Sequence, residues 1–124
     1  MHIDYERLNV LLRNTDGISY LFFCQSDIIQ PPDLSQIILP NNVGIIYDAT
    51  QTLGLIAGGV LPNPLDQLKN IVLIGGTHKT FPGVTCGYVA TNSDEIIQRV
   101  NQDISPNFLR NVQVNNITSV CLSM

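Results

Sequence analysis

Charge is scarce in this sequence. Only 13% of its 124 residues are charged, against 44% that are hydrophobic, and the net charge at pH 7 is −4. The six basic residues are scattered, so we expect neither nucleic acid nor an anionic membrane surface as a partner. Disordered chains have the opposite balance of charge and hydrophobicity. The composition predicts a globular domain, some of whose apolar surface packs against polypeptide outside this chain.

Cysteine and histidine are also few. The three cysteines, Cys24, Cys86 and Cys121, are widely separated, and the chain has two histidines. Neither a C-x-x-C pair nor a Cys/His ligand spacing occurs, so no metal site is expected. We interpret the cysteines as buried, inert thiols, which suits the reducing environment of the cytoplasm.

Long apolar runs are missing as well. No run approaches the roughly 20 residues that a helix needs to cross a bilayer. Residues 1–7 include charged side chains, and they lack the apolar segment of a secretory signal. We therefore expect a cytoplasmic protein with no membrane segment.

Short apolar runs alternate with helical patterns along the chain. Strands are predicted at 18–24, 43–47, 71–74 and 86–91. Helical segments are predicted at 4–13, 33–39, 63–69, 93–100 and from 107 onwards, and residues 51–57 are predicted as either a short helix or an irregular segment. The first strand is apolar without alternation, which is typical of a strand buried on both faces of a parallel sheet. The alternation predicts βαβ units and a mainly parallel sheet in one domain.

Polar residues follow three of the predicted strands. Ser26 comes after the first strand, Asp48 after the second, and Thr77, His78 and Lys79 after the third. Because parallel strands present their carboxyl ends at one edge of the sheet, we expect these residues to cluster. A carboxylate at the end of a buried strand is costly unless it is paired. Asp48 is therefore expected to bind a cation, either a lysine or the protonated ring nitrogen of a cofactor.

The pattern around Lys79 allows two other interpretations. Residues 71–83 could be a strand followed by an ordinary surface turn with a solvated lysine. Residues 75–80 are also similar to a phosphate-binding loop ending in Gly-Lys-Thr. His78, however, stands where that loop needs glycine, and no glycine lies at the required upstream position. A nucleoside triphosphate site is therefore disfavoured.

Two sequence blocks carry a family resemblance. Residues 48–59 read Asp-Ala-Thr-Gln-Thr-Leu-Gly-Leu-Ile-Ala-Gly-Gly, and residues 77–83 read Thr-His-Lys-Thr-Phe-Pro-Gly. In this order and separation they resemble the serine hydroxymethyltransferase family of pyridoxal-phosphate enzymes, which have fold type I. Gln-Ser-Asp at 25–27 and Thr-Phe-Pro-Gly at 80–83 are closer to the transaldolase-like branch. The resemblance implies a partial three-layer α/β/α sandwich, in which residues 1–124 form the central and C-terminal part of the large domain, without a complete second domain.

The same resemblance implies a role for each strand-end residue. Lys79 would be the Schiff-base lysine, and His78 would act beside it as the second catalytic residue. Asp48 would pair with the ring nitrogen of pyridoxal 5'-phosphate. The other implied cofactor-binding residues are Gln51, Thr77 and Ser26.

Two departures from the family pattern affect this implied site. Gln51 stands where the hydroxymethyltransferases usually have a histidine near the 3′-oxygen of the cofactor. Glutamine can form a hydrogen bond there, but it cannot titrate. Val84 and Thr85 replace the usual proline and arginine or glutamine of the following loop. The resemblance therefore leaves the source of proton transfer and the details of this loop open.

The implied activity is an aldol-type cleavage or transfer on amino acids like glycine, serine or threonine. The family's enzymes are longer, and their phosphate cup, ring-stacking residue and carboxylate-binding arginine have no counterpart here. A sheet without its flanking strands exposes edges, so the chain is expected to form a homo-oligomer or to join a complementary chain. Two alternatives remain: a catalytically incomplete subunit that keeps the fold and assembles with a partner, and an unrelated α/β binding domain.

Overall fold

The computed structural model describes residues 3–14, 16–17, 19–104, 107–108 and 113–123. Its helices are α1 (Tyr5–Asn14), α2 (Leu53–Ala57), α3 (Asp94–Ile104) and α4 (Val114–Leu122), and its strands are β1 (Tyr20–Cys24), β2 (Gly44–Asp48), β3 (Ile71–Gly76) and β4 (Gly87–Thr91). Two short 3-10 turns lie at Leu34–Gln36 and Pro64–Asp66. None of the helices in these described ranges combines the length and the hydrophobicity that a membrane-spanning segment requires.

The four strands form one sheet in the order β1-β2-β3-β4. The β1–β2 and β2–β3 pairs are parallel, and the β3–β4 pair is antiparallel. Cys24, Asp48 and Ile74 lie in register across the three parallel strands. The predicted α/β class with a mainly parallel sheet is confirmed.

The direction of β4 follows from the connection before it. A parallel pairing needs a crossover of about a dozen or more residues, usually containing a helix. Residues 77–86, which join β3 to β4, contain no helix. The chain therefore reverses, and β4 runs antiparallel to β3. The sheet is mixed as a result.

The hydrophobic core lies on one face of the sheet. Alternate residues of the two central strands are fully or almost fully buried there, namely Ile45, Tyr47, Ile71 and Leu73. Side chains of α1 and of the first 3-10 turn also belong to this cluster of buried residues, including Leu12 and Leu34. This alternation is what a half-covered sheet requires. The parallel pairing of the strands, by contrast, brings their carboxyl ends to the site described below.

The opposite face of the sheet is partly uncovered at β1. Tyr20 is 55% exposed and Phe22 is 59% exposed. The prediction that this strand is buried on both faces is wrong, because β1 is the last strand of the described sheet and only its core-facing residues are covered. Cys24, on the same face, is exposed, as is Cys121, while Cys86 is half-buried. The prediction of three buried thiols is therefore also wrong.

The predicted starts of the helices agree with the structure better than their predicted lengths do. The Asp4 carboxylate accepts a 2.9 Å hydrogen bond from the Arg7 amide at the start of α1, and Ser93 accepts one from the Ile96 amide at the start of α3. Asp33 accepts from the Ser35 amide as predicted, but only a 3-10 turn follows. The last predicted helix begins at Val114 rather than 107, and residues 109–112 lie outside the described residues.

Candidate active site at the carboxyl edge of the sheet

The carboxyl ends of the three parallel strands meet at one edge of the sheet. The amide of Gln25, just after β1, donates a 3.0 Å hydrogen bond to the Asp48 carbonyl of β2. The amide of Ala49, just after β2, donates a 2.9 Å hydrogen bond to the Ile74 carbonyl of β3. The structure therefore places the strand exits that carry Ser26, Asp48 and Thr77 next to one another in the order of the strands.

Asp48 is half-buried at the end of β2. Its Oδ1 atom accepts hydrogen bonds from the Thr50 amide at 2.9 Å and the Thr50 hydroxyl at 2.6 Å. These two hydrogen bonds fix the side chain in a local turn. Both fall on Oδ1, so among the described residues Oδ2 accepts no hydrogen bond, and no described side chain supplies the expected cation.

Tyr88 reaches this cluster from β4, on the far side of β3. It lies opposite Gly75 in the antiparallel register. A Cβ atom on Gly75 would lie 2.9 Å from the Tyr88 Oη atom and 2.9 Å from the Thr50 Oγ1 atom. Only a residue without a side chain lets both hydroxyl groups approach the end of β3 so closely. Sequence reasoning missed Tyr88 and Thr50.

The Tyr88 hydroxyl is buried and has no hydrogen-bond partner among the described residues. Burial, and to a smaller extent the nearby charge of Asp48, raise the pKa of Tyr88 to about 12. The phenol is therefore neutral near pH 7 and keeps its proton available for donation. Buried polar groups in native proteins are nearly always hydrogen-bonded, so an unpaired hydroxyl beside a carboxylate marks this edge as a candidate site.

Thr77 closes the loop that follows β3. Its amide donates a 2.9 Å hydrogen bond to the Cys86 carbonyl, and its hydroxyl accepts a 2.9 Å hydrogen bond from the Cys86 amide. The hydroxyl also donates to the Val84 carbonyl. Thr77 is buried, and its hydroxyl is engaged on both sides, so it holds the two ends of the loop together instead of pointing to an open pocket.

The middle of the same loop is attached to α2. The Thr80 hydroxyl accepts a 3.1 Å hydrogen bond from the Gly54 amide, in the first turn of that helix. Thr80 thereby satisfies one of the amides that a helix start leaves without an intrahelical partner. Phe81 is buried immediately after it. The loop is consequently fixed at Thr77 and again at residues 80–81.

His78 and Lys79 lie between these two attachments, and both are exposed. The His78 ring lies over Gly76, since a Cβ atom there would be 2.7 Å from the His78 Nδ1 atom. The attachments on either side restrain the backbone from which the Lys79 side chain extends. An exposed amine on a restrained loop is accessible to a ligand at this edge of the sheet.

Gln25 is buried and connects three elements, a role that the sequence did not indicate. Its Oε1 atom accepts hydrogen bonds from the Tyr47 hydroxyl and, at 3.0 Å, from the Thr52 hydroxyl. It therefore joins the end of β1 to β2 and to the start of α2. Its Nε2 atom is buried without a partner among the described residues. Ser26 next to it is exposed, and Gln51 next to Thr52 is half-buried.

Comparisons with known proteins agree with this architecture. No protein-family model matches the chain. The serine hydroxymethyltransferase of Aeropyrum pernix is 38% identical over 79 residues, which are 64% of this chain and 18% of the relative. That of Saccharolobus solfataricus is 31% identical over 91 residues, or 73% of this chain and 21% of the relative.

A solved structure is similar over nearly the whole chain. The L-threonine transaldolase of Pseudomonas fluorescens, in its internal aldimine state, matches with a TM-score of 0.83 and 26% identity over 98% of this chain and 28% of that protein. These similarities confirm the resemblance predicted from residues 48–59 and 77–83. The chain spans about a fifth of the length of the curated relatives it matches.

Proposed function

We propose that this chain, which belongs to the serine hydroxymethyltransferase-like family, carries the cofactor-anchoring part of a pyridoxal-phosphate-dependent enzyme. The observation that carries this proposal is the state of Asp48. Its carboxylate lies at the carboxyl end of a central strand, and both of its hydrogen bonds from described residues fall on one oxygen. A half-buried carboxylate is stabilised by a cationic partner, and a protonated ring nitrogen can supply one.

The residues at this edge fit pyridoxal phosphate in three respects. The Oδ2 atom of Asp48 is available to accept a hydrogen bond from a protonated ring nitrogen. The Lys79 amine is exposed on a loop that is fixed on both sides. A buried hydroxyl, that of Tyr88, has no partner among the described residues. Asp48, Lys79 and Tyr88 thus offer an anion, a nucleophile and a hydrogen-bond donor, and pyridoxal phosphate can interact with all three.

When bound, the cofactor supplies an electron sink that stabilises negative charge on the α-carbon of an amino-acid substrate. Lys79 would hold the cofactor by its aldehyde carbon, for which its amine must lose its proton. Asp48 would keep the proton on the ring nitrogen. Thr77 and Thr80 would orient Lys79 through the loop contacts described above, and His78 would lie beside it.

The reaction we propose is an aldol-type cleavage or transfer on a small amino acid such as glycine, serine or threonine. The support is the names of the similar proteins, serine hydroxymethyltransferase and L-threonine transaldolase. Gln51 and Ser26 would contribute hydrogen bonds only, so proton transfer would fall to His78 or to groups outside this chain. Because the chain spans about a fifth of its curated relatives, we propose that the groups that bind the substrate carboxylate lie outside residues 1–124.

The test is equilibrium binding of pyridoxal phosphate to the Asp48→Asn variant. Asparagine keeps an oxygen for the Thr50 hydrogen bonds but removes the negative charge. We expect binding to weaken about ten- to a hundredfold, since a hydrogen bond between charged groups is stronger than a neutral one. Binding is measured by cofactor absorbance, for the chain alone and together with a chain that supplies the rest of a relative's length. The exposed Asp103→Asn variant is the control and should bind like the wild type.

Each outcome of this experiment decides between the two functions. Binding by the chain alone, or only with the complementary chain, supports an enzyme or a split enzyme. If neither preparation binds the cofactor, the proposal is wrong, and a catalytically incomplete subunit that keeps only the fold is favoured. Equal binding by wild type and Asp48→Asn would remove Asp48 from the cofactor site.

We also propose that the uncovered sheet face packs against polypeptide of the same enzyme outside residues 1–124. Phe22, Ile46 and Val72 lie in register across three strands on this face, and Tyr20 extends it along β1 (these four residues form the apolar sheet face). Phe22 and Tyr20 are exposed, while Ile46 and Val72 are half-buried. Exposed apolar patches of this kind usually belong to interfaces. The support for this occupant is the small share of each relative that the chain spans.

The isolated chain is accordingly expected to self-associate at micromolar concentration through the apolar sheet face. Phe22→Ser should weaken this association about tenfold or more, because an aromatic side chain is no longer buried between chains. Sedimentation velocity over a concentration series measures the effect. The matched control is Val60→Ser, at a residue that is 72% exposed outside the sheet. A wild-type chain that sediments as a monodisperse monomer would contradict the prediction.

A further inference from the structure

We infer that Tyr88 is a positioning residue for Asp48. When the cofactor is bound, its phenolic hydroxyl would donate a further hydrogen bond to the Asp48 carboxylate, beside the two from Thr50, while Oδ2 takes up a protonated ring nitrogen. This inference rests on the proposed function and adds a residue to it. Neither of the two sequence blocks that carry the family resemblance contains Tyr88.

The geometric evidence for this inference is the close approach of two hydroxyl groups to Gly75. Tyr88 is on β4, two strands away from Asp48 on β2, with β3 between them. The Tyr88 Oη atom and the Thr50 Oγ1 atom both lie 2.9 Å from the point that a Gly75 side chain would occupy. Thr50 in turn donates to Asp48 Oδ1. Because residue 75 is glycine, a hydroxyl from β4 can reach past β3 to the polar group at the end of β2.

The hydrogen-bonding groups that have no partner in the described part of the chain also favour a contact between Tyr88 and Asp48. Thr50 occupies Asp48 Oδ1 with two hydrogen bonds. The Tyr88 hydroxyl has a proton to donate and no partner among the described residues. A buried hydroxyl without a partner destabilises the fold, and donation to the Asp48 carboxylate would remove that cost. The charge of Asp48 is the smaller of the two causes that raise the pKa of Tyr88, so the two side chains are close enough to interact electrostatically.

The experiment compares Tyr88→Phe with the wild type in two measurements. The first is the free energy of unfolding of the cofactor-free chain, which should be unchanged or higher because an unpaired buried hydroxyl is removed. The second is the dissociation constant of pyridoxal phosphate, which should rise about tenfold because the carboxylate loses a charged hydrogen bond. Tyr20→Phe, at an exposed tyrosine of β1, is the matched control and should change neither quantity.

A cofactor analogue with carbon in place of the ring nitrogen tests whether Tyr88 acts through Asp48. With this analogue, Tyr88→Phe should change binding by less than about twofold, because effects on one shared interaction are not additive. The inference is overturned if Tyr88→Phe weakens both ligands equally, or if it destabilises the free chain and leaves binding unchanged. If the wild type binds neither ligand, alone or with the complementary chain, the proposed function fails as well. If it binds both ligands and only the variant departs from expectation, the inference alone fails.

Discussion

Lys79→Ala is expected to abolish covalent attachment of pyridoxal phosphate. The chain has two lysines, Lys69 and Lys79, and only Lys79 lies on the loop between the Thr77 and Thr80 attachments. Alanine has no amine to bond with an aldehyde carbon, so the loss should be complete. Borohydride reduction followed by peptide mass spectrometry locates the adduct, and it should be found on the peptide that contains Lys79 in the wild type and be missing from the variant.

Lys69→Ala provides the matched control for this experiment. Both lysines are exposed, so each substitution should change the free energy of unfolding by no more than about 0.5 kcal/mol. A lost adduct can then be attributed to the missing amine. If the adduct were found on Lys69, or in equal amounts on both lysines, Lys79 would have no special role and the restrained loop would not explain the site.

The sequence was sufficient to predict that the strand ends carrying the candidate site residues lie at one edge of the sheet. Hydrophobic runs identified the strands, and a parallel arrangement brings their carboxyl ends together whatever the details of the connections. The sequence alone therefore places Asp48 and the 77–79 segment at one edge of the sheet. Their chemical roles, which come from the family resemblance, stay predictions until the cofactor is tested.

The contribution of Tyr88 could not be predicted in the same way. A tyrosine in a strand is an ordinary strand former, and nothing in its neighbourhood in the sequence indicates Asp48. Its position depends on the register of β3 and β4, which sets Tyr88 opposite Gly75. Such a register is determined by tertiary packing and by the loop between the strands. The antiparallel direction of β4 is easier to predict from the sequence, because residues 77–86 are too few for a helical crossover.

The exposure of β1 shows a second limit of sequence patterns. A continuous apolar run is typical of a strand that is covered on both faces, yet Phe22 is exposed here. The apolar sequence of β1 suits both faces of the strand to packing, but the described residues cover only one of these faces. We therefore interpret the disagreement as support for additional polypeptide at the apolar sheet face, which the Phe22→Ser experiment tests.

Gly54→Ala is expected to displace the loop that carries Lys79. A Cβ atom on Gly54 would lie 2.1 Å from the Thr80 carbonyl oxygen and 2.5 Å from its carbonyl carbon. Both are backbone atoms, so no side chain can rotate away, and either the loop or α2 must move. The movement also lengthens the hydrogen bond from the Gly54 amide to the Thr80 hydroxyl. We expect a loss of about 1–3 kcal/mol in the free energy of unfolding, measured by urea denaturation.

The same substitution should slow covalent attachment of the cofactor, because Lys79 is next to the displaced residue. Gly87→Ala is the control: the nearest atom to its new Cβ would be the Gly75 carbonyl oxygen at 4.0 Å, so alanine fits and the chain should keep its stability within about 1 kcal/mol. Thr80→Ala separates the two causes, since it removes the hydrogen bond without a clash. If Gly54→Ala attached the cofactor at the wild-type rate despite lost stability, the contact between α2 and the loop would stabilise the fold without orienting Lys79.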